Sequence, residues 1–407
     1  MSNLLIPEVL APAGDMERLE YAIRYGADAV YLGGKTMGMR TASQNFDFDQ
    51  MKKACDYAHA RGVKVYLTCN ILPNNKEVDA LPEYFRAAEA AGIDALIIAD
   101  IGTLMEAKRV VPDMEIHMST QVGIVNYMTA RELYNMGAKR IVLAREVPLD
   151  EIRQIRDKTP PEMEIECFVH GAMCVSFSGR CLLSQYLVGR HANRGECAQP
   201  CRWAYHLVEE KRPGQYFPIV EEDGATYILN AKDMNMVRHI DKLVDAGINS
   251  LKIEGRAKSF YYVACVTNAY RSAVDHYLKD RNGFVLPEWI DEETRKVSHR
   301  QYTEGFYFGP PENGQYHETG GYVRSWDVVA VVDKCENGKM HLTQRNKFSV
   351  GDEVEIMIPR QQPVRFTVKE MFNEAGESIT AAPHAMMKLT IPFDGSFPEG
   401  SILRVQK

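Results

Sequence analysis

No stretch of the 407-residue chain approaches the roughly 18 consecutive apolar residues that a membrane-spanning helix needs. The opening MSNLLIPEVLAPAG lacks a basic start followed by an apolar run, so neither a leader nor a membrane span is expected, and a cytoplasmic protein is. A positive surplus is missing too. Lys and Arg number 48 against 55 Asp and Glu, a net charge of −7, so an RNA partner would need a local basic patch rather than bulk attraction. Three catalytic signatures are absent. No GxGxxG turn follows the first strand-like segment, which disfavours an open dinucleotide-binding sheet. No HExxH occurs, since His317-Glu318 runs into Thr319-Gly320-Gly321, and no GxSxG elbow occurs. A disulfide framework is excluded as well, because nine cysteines is an odd number spread over a long chain.

Five of those nine cysteines fall between Glu164 and Tyr205. Six residues separate Cys174 from Cys181, fifteen separate Cys181 from Cys197, and three separate Cys197 from Cys201, with Gly179 and Gly195 placed where a backbone must curl. Arg180, Arg190, His191, Arg194 and Arg202 supply the positive charge that favours thiolates. Four soft sulfurs suit zinc or an iron–sulfur cluster, and the spacing alone leaves zinc, iron–sulfur and free thiols open. Cys55, Cys69, Cys265 and Cys335 read as core fillers.

The run Glu166, Phe168, His170, Gly171, Cys174, Ser178, Gly179, Cys181 and Ser184 resembles the signature of the collagenase-like peptidases, family U-32. The resemblance extends to Glu8-Val9-Leu10-Ala11-Pro12-Ala13-Gly14, to Gly26 through Gly33 and to Asn230-Ala231-Lys232-Asp233-Met234, covering most of residues 7 to 310. It implies oxygen-independent hydroxylation of tRNA wobble uridine, ribosomal cytidine or ubiquinone precursors, with a cysteine-bound four-iron four-sulfur cluster rather than zinc. It further implies prephenate as the hydroxyl source, the tRNA anticodon loop as a partner, and in some relatives a paralogous subunit. One position departs: many relatives resemble Lys-Asp-Leu-Cys where this chain has Lys232-Asp233-Met234-Asn235. The resemblance thus implies Cys174, Cys181 and Cys197 as ligands, with the fourth place falling to Cys201, to Cys167 or to another group, and Cys201 the expectation.

A repeated phrase governs residues 1 to 256: a helix end, a Gly, then a short apolar strand, as at Gly26, Gly62, Gly92, Gly137 and Gly247. With Val9-Leu10, Glu115 to Met118 and Glu164 to Phe168 added, eight strand-helix units predict a (β/α)₈ barrel over 1–310, with an open doubly wound sheet as runner-up. The polar residues after each strand then gather at one mouth: Asn70, Asp100, Ser119, Gln121, Arg145, Glu146, His170, Glu254, Arg256 and, in the loop after the second strand, Arg40. Residues 205–230 read as a hairpin over that mouth. From 311 to 407 short strands punctuated by Gly338, Gly351, Gly376 and Gly400 predict a small all-β barrel, which within the resemblance marks the longer members.

His170, Glu166 and Arg145 are the candidate catalytic residues; Glu166, Phe168 and His170 alternate along one strand and are expected to share a face, with Glu166 against Lys252 or Arg256 as the structural alternative. Arg40, Arg145 and Arg256 are expected to clamp an anion, and Arg345, Lys347 and Arg360 to meet unpaired RNA. The function expected, through the resemblance, is that of a tRNA uridine-34 hydroxylase. A peptidase and a non-catalytic partner subunit are the rivals.

Overall fold

The computed structural model describes residues 6–39, 44–174, 176, 177, 181–192, 195–203, 221, 222, 225, 226, 231–309 and 322–407. Eight parallel strands, Glu8–Pro12, Ala29–Gly33, Lys64–Cys69, Ala95–Ile98, Glu115–Met118, Arg140–Val142, Glu164–Ala172 and Ser250–Ile253, close into a barrel as the last pairs with both the seventh and the first. The eight strands are those read from the sequence.

Helices cover the barrel because each carries one apolar stripe and a defined start. Asp47 and Gln50 form a reciprocal capping box on Phe48–His59, and Asp100 caps Ile101–Val110 by accepting from the Thr103 N–H. The 20-residue helix Phe260–Lys279 buries fifteen of its side chains, more than one stripe, because the C-terminal domain covers its outer side.

Register fixes what lies inside. Parallel partners point to one face, so the pairings Leu10–Ala29, Tyr31–Tyr66–Ala95, Ile97–His117–Arg140 and Val142–Glu166–Ser250 place these side chains in the lumen. They stack in layers from alternate strands. Tyr31, Ile97, Val142 and Lys252 form one layer; Thr68 and Phe168 belong to the layer above it, nearer the strand C-termini.

Two short strands extend the wall: Asp233–Asn235 runs antiparallel to the end of the seventh strand, and Tyr302–Thr303 pairs beside it. Of the expected hairpin, only the pairing of Glu221–Glu222 with Ala225–Thr226 falls among the described residues.

The C-terminal domain is a seven-stranded antiparallel sheet, in the order Val364–Thr367, Glu353–Met357, Ile402–Gln406, Trp326–Glu336, Lys339–Gln344, Lys388–Pro392, Phe372–Asn373. Its edge strands do not pair with each other, so it is a half-barrel, curled around Val329, Leu342, Phe348, Ile356 and Leu403. Val328, Val331, Met357 and Ile402 instead join the core of the large barrel, and Tyr25 donates its hydroxyl to the carbonyls of Met357 and Gly400. The two domains share a packed seam. No helix among the described residues is long and apolar enough to cross a membrane.

Candidate active site at the barrel mouth

A cavity of about 60 Å³ opens at the C-terminal ends of the barrel strands, lined by Tyr31, Met39, Thr68, Asn70, Ile97, Ser119, Thr120, Gln121, Val142, Arg145, Phe168, Lys252, Glu254 and Arg256. Six of the polar residues expected after the strands are here: Asn70, Ser119, Gln121, Arg145, Glu254 and Arg256. Arg145 lays its guanidinium 3.9 Å over the Phe168 ring, donates to the Ala172 carbonyl at 2.9 Å and faces Glu254 at 3.7 Å. Arg256 is buried and donates to Thr68 Oγ1 at 3.2 Å. Gly33 makes room for it, since a Cβ there would stand 1.9 Å from Arg256 Nη1. Three cations, Arg145, Arg256 and Lys252, thus surround a small polar space holding one carboxylate, Glu254, an arrangement that suits a compact anion.

Beneath the floor runs a chain of buried charges. Lys252 Nζ lies 2.5 Å from Glu166 Oε1, Arg140 reaches Glu166 at 3.1 Å, Glu8 at 2.6 Å and Glu164 at 2.7 Å, and Tyr66 and Ser250 donate to Glu8. Burial alone would raise the Glu166 pKa, but the Lys252 and Arg140 charges outweigh it and hold the carboxyl down at about 2. Glu166 is therefore an ionised counter-ion below the cavity rather than a group facing it. The structural alternative weighed from the sequence, a Glu166–Lys252 pair, is the one present.

His170 requires a correction. It does not share a face with Glu166 and Phe168, because the pairing of the seventh and eighth strands slips between Lys252 and Ile253. Its ring packs among Tyr262, Tyr270 and Tyr302, with Nε2 3.4 Å from the Tyr302 hydroxyl. Burial drives its pKa down to about 3, so the imidazole is neutral at physiological pH. It stands outside the mouth lining, as do Asp100, which caps a helix, and Glu146. Arg40 lies outside the described residues.

The cysteine segment leaves the seventh strand at the same mouth. None of the nine cysteines is in a disulfide; Cys174 and Cys197 are exposed, Cys181 and Cys201 partly so, and Cys55, Cys69, Cys167 and Cys265 are buried. Desolvation holds the Cys174 thiol above its ordinary pKa and nearby Cys181 and Cys201 add to this, while the Ser176 backbone N–H and Arg145 oppose it. The Gln199 N–H donates to Cys197 Sγ at 3.4 Å. Cysteine sulfurs on a segment beside Arg145, two of them accepting backbone N–H bonds, are donors of the kind an iron–sulfur cluster takes. Among the described residues, no three His, Cys, Asp or Glu are drawn close enough to hold a metal ion in this conformation. Asn235 is occupied elsewhere: it donates to Thr294 Oγ1 and accepts from the Val237 N–H.

The basic residues expected to meet RNA separate into two kinds. Arg345 bonds Glu17 at 3.0 Å and Arg360 bonds Asp275 at 2.6 Å, both carboxylates of the large barrel's helices, so these arginines tie the two domains together. Lys347 is exposed and makes no ion pair with the described residues. Lys252, Thr68 and Thr120 were not singled out as cavity residues from the sequence. Strand alternation from Ser250 signals Lys252, but an interior lysine violates the apolar pattern used to find strands.

A family model described as Peptidase family U32 matches residues 14–317, and one described as Peptidase family U32 C-terminal domain matches 324–404. The chain is 36% identical over 406 residues to "tRNA hydroxylation protein P1" of Bacillus subtilis, covering 98% of this chain and 95% of that one. It is 35% identical to "tRNA hydroxylation protein P" of Escherichia coli, covering 93% and 91%. A protein named "Collagenase" from Porphyromonas gingivalis is 33% identical, covering 89% of each.

Proposed function

The chain belongs to peptidase family U32, and from that premise we propose that it hydroxylates wobble uridine in tRNA without molecular oxygen. The observation that carries the reading is the convergence at one barrel mouth of a three-cation cavity and a segment bearing four cysteines outside any disulfide, with Cys174 close enough to Arg145 to feel its charge. The names of the Bacillus and Escherichia relatives support an RNA hydroxylase over a peptidase. Cys174, Cys181, Cys197 and Cys201 would hold a four-iron four-sulfur cluster, which when bound supplies one-electron chemistry. Arg145 and Arg256 fix the carboxylate of the hydroxyl donor, for which prephenate is the candidate, and Asn70, Ser119 and Gln121 orient it by hydrogen bonds. The narrow cavity excludes bulk water from the reacting atoms. The tRNA anticodon loop presents its unpaired base at the mouth from outside.

Peptide hydrolysis finds little in this cavity. No histidine or cysteine is among its described lining residues, and the Ser119 hydroxyl accepts from the Gln121 N–H and faces the Asn70 amide rather than a base.

The test is direct. Anaerobically prepared protein is expected to be brown, with about four irons and four sulfides, and Cys201→Ser to lose iron as fully as Cys197→Ser. Deleting the gene is expected to remove the 5-hydroxyl oxygen from uridine-34, read by mass spectrometry of digested tRNA. Colourless zinc protein would overturn the cluster, and unchanged nucleosides would favour a non-catalytic or paralogue-dependent role.

A further inference from the structure

The floor of the mouth cavity is the lumen layer of Tyr31, Ile97, Val142 and Lys252. Three members offer aromatic or aliphatic surface, and one offers a charge. Lys252 is 5% exposed, its ammonium standing 4.7 Å from the Tyr31 ring centroid and 5.4 Å from that of Phe168. An ammonium has three N–H donors, and the hydrogen bond Lys252 makes among the described residues is the one to Glu166. The remaining donors have the aromatic collar and the cavity to face. Glu166 is itself fixed by Arg140, so the ammonium is held in place before anything enters.

We infer that Lys252 is a catalytic residue: its ammonium contacts an oxygen of the small anion seated between Arg145 and Arg256 and balances the negative charge that oxygen carries while the anion reacts. The physical reason is preorganisation. A cation already desolvated, with its counter-ion behind it and an apolar collar around it, acts at low effective dielectric and reorganises little when an anion enters. The two arginines stand higher, toward the mouth, and are engaged by Ala172 and Glu254 in one case and Thr68 in the other, as suits groups that orient. The reaction served is the hydroxylation proposed above, and the inference rests on that reading for its chemistry, though not for the contact itself.

Lys252→Met removes the charge at similar length but strands a buried Glu166, so lost activity alone would be ambiguous. Adding Glu166→Gln removes the stranded carboxylate. In K252M/E166Q the melting temperature is expected to return toward that of the wild type, while kcat for tRNA hydroxylation stays down about a hundredfold and KM for tRNA is unchanged. Isothermal titration with prephenate and with inorganic phosphate reads the contact without catalysis, and the double variant is expected to bind at least about tenfold more weakly. Turnover that recovers together with stability, equal anion affinity in the two proteins, or no anion binding by the wild type would each overturn the assignment. A wild type that binds these anions in a Lys252-dependent way yet leaves tRNA unmodified would instead overturn the hydroxylase reading and leave the contact standing.

Discussion

Two networks of buried charge lie in this molecule, one inside the large barrel and one at the seam between the domains. At the seam Arg404 and Glu293 are fully buried, and Arg404 also bonds Glu355, which Lys296 meets at 2.7 Å. In the barrel, Arg140 and Lys252 share Glu166, and Arg140 also meets Glu8. Both networks pair every buried carboxylate with a cation, as desolvation demands. They differ at their ends. The seam network is packed against Tyr261, Cys265 and Met357 and reaches the surface through the half-exposed Arg365, which bonds Glu355 at 2.9 Å, whereas the barrel network ends in a lysine on a cavity floor. Ion pairs packed between two domains in this way fix a docking geometry. Pairs that end on a cavity floor can also meet a ligand.

Breaking the seam should have the larger effect on folding. Arg404→Met leaves Glu293 and Glu355 buried with fewer partners, and a cost of about 3 to 5 kcal/mol is expected in urea unfolding. Because Val328, Val331, Met357 and Ile402 belong to the core of the large barrel, both domains should lose stability together rather than the C-terminal one alone. An unfolding curve in which only the half-barrel melts early would mean that the domains are independent. Hydroxylation by the folded fraction should be affected much less than stability.

Acid separates the networks next. Glu166 and Glu355 are each held down at about 2, in both cases against burial, by Lys252 and Arg140 in one and by Arg404 and Lys296 in the other. A carboxyl with a depressed folded pKa contributes stability that is complete above its unfolded value, near 4.5, and is lost as pH falls toward 2. Each should contribute on the order of 3 kcal/mol to the acid limb. Glu166→Gln and Glu355→Gln should each flatten stability against pH between about 4.5 and 2. Only the first should also change anion binding at the mouth, because only that network reaches it.

The barrel was legible because each strand is a short apolar run after a Gly that ends a helix, a local signal repeated until it closes. Arg145 and Arg256 were legible because they follow such runs. Three failures have physical causes. His170 was misplaced because a one-residue slip between neighbouring strands is set by pairing, and alternation within one strand cannot show it. Lys252 was passed over as an active group because burial in a lumen makes a lysine costly unless a distant Glu166 and Arg140 share the site. Arg345 and Arg360 look in sequence like free surface cations. Their carboxylates, Glu17 and Asp275, are 328 and 85 residues away.

Those two arginines set up the smallest and most discriminating measurement, because they are paired with carboxylates across the domain seam while Lys347 is not. Arg360 is 55% exposed, so its ion pair with Asp275 should contribute less than about 1 kcal/mol, and Arg360→Ala should barely move the melting temperature. Arg345 is more enclosed, 27% exposed and laid against the Phe260 ring, so Arg345→Ala should cost somewhat more through lost packing. Neither charge is available to a phosphate without giving up its carboxylate. Lys347 has no such competitor among the described residues. If the half-barrel touches tRNA near this loop, Lys347→Ala should weaken binding of an anticodon stem-loop and reduce the slope of log affinity against log salt by about one, with unchanged stability. Arg345→Ala and Arg360→Ala should lower the slope less, since each removal also frees an acidic neighbour that repels the backbone. Equal loss from all three would show that the domain ties open on RNA binding, and no loss from any would place the RNA contact wholly on the barrel mouth.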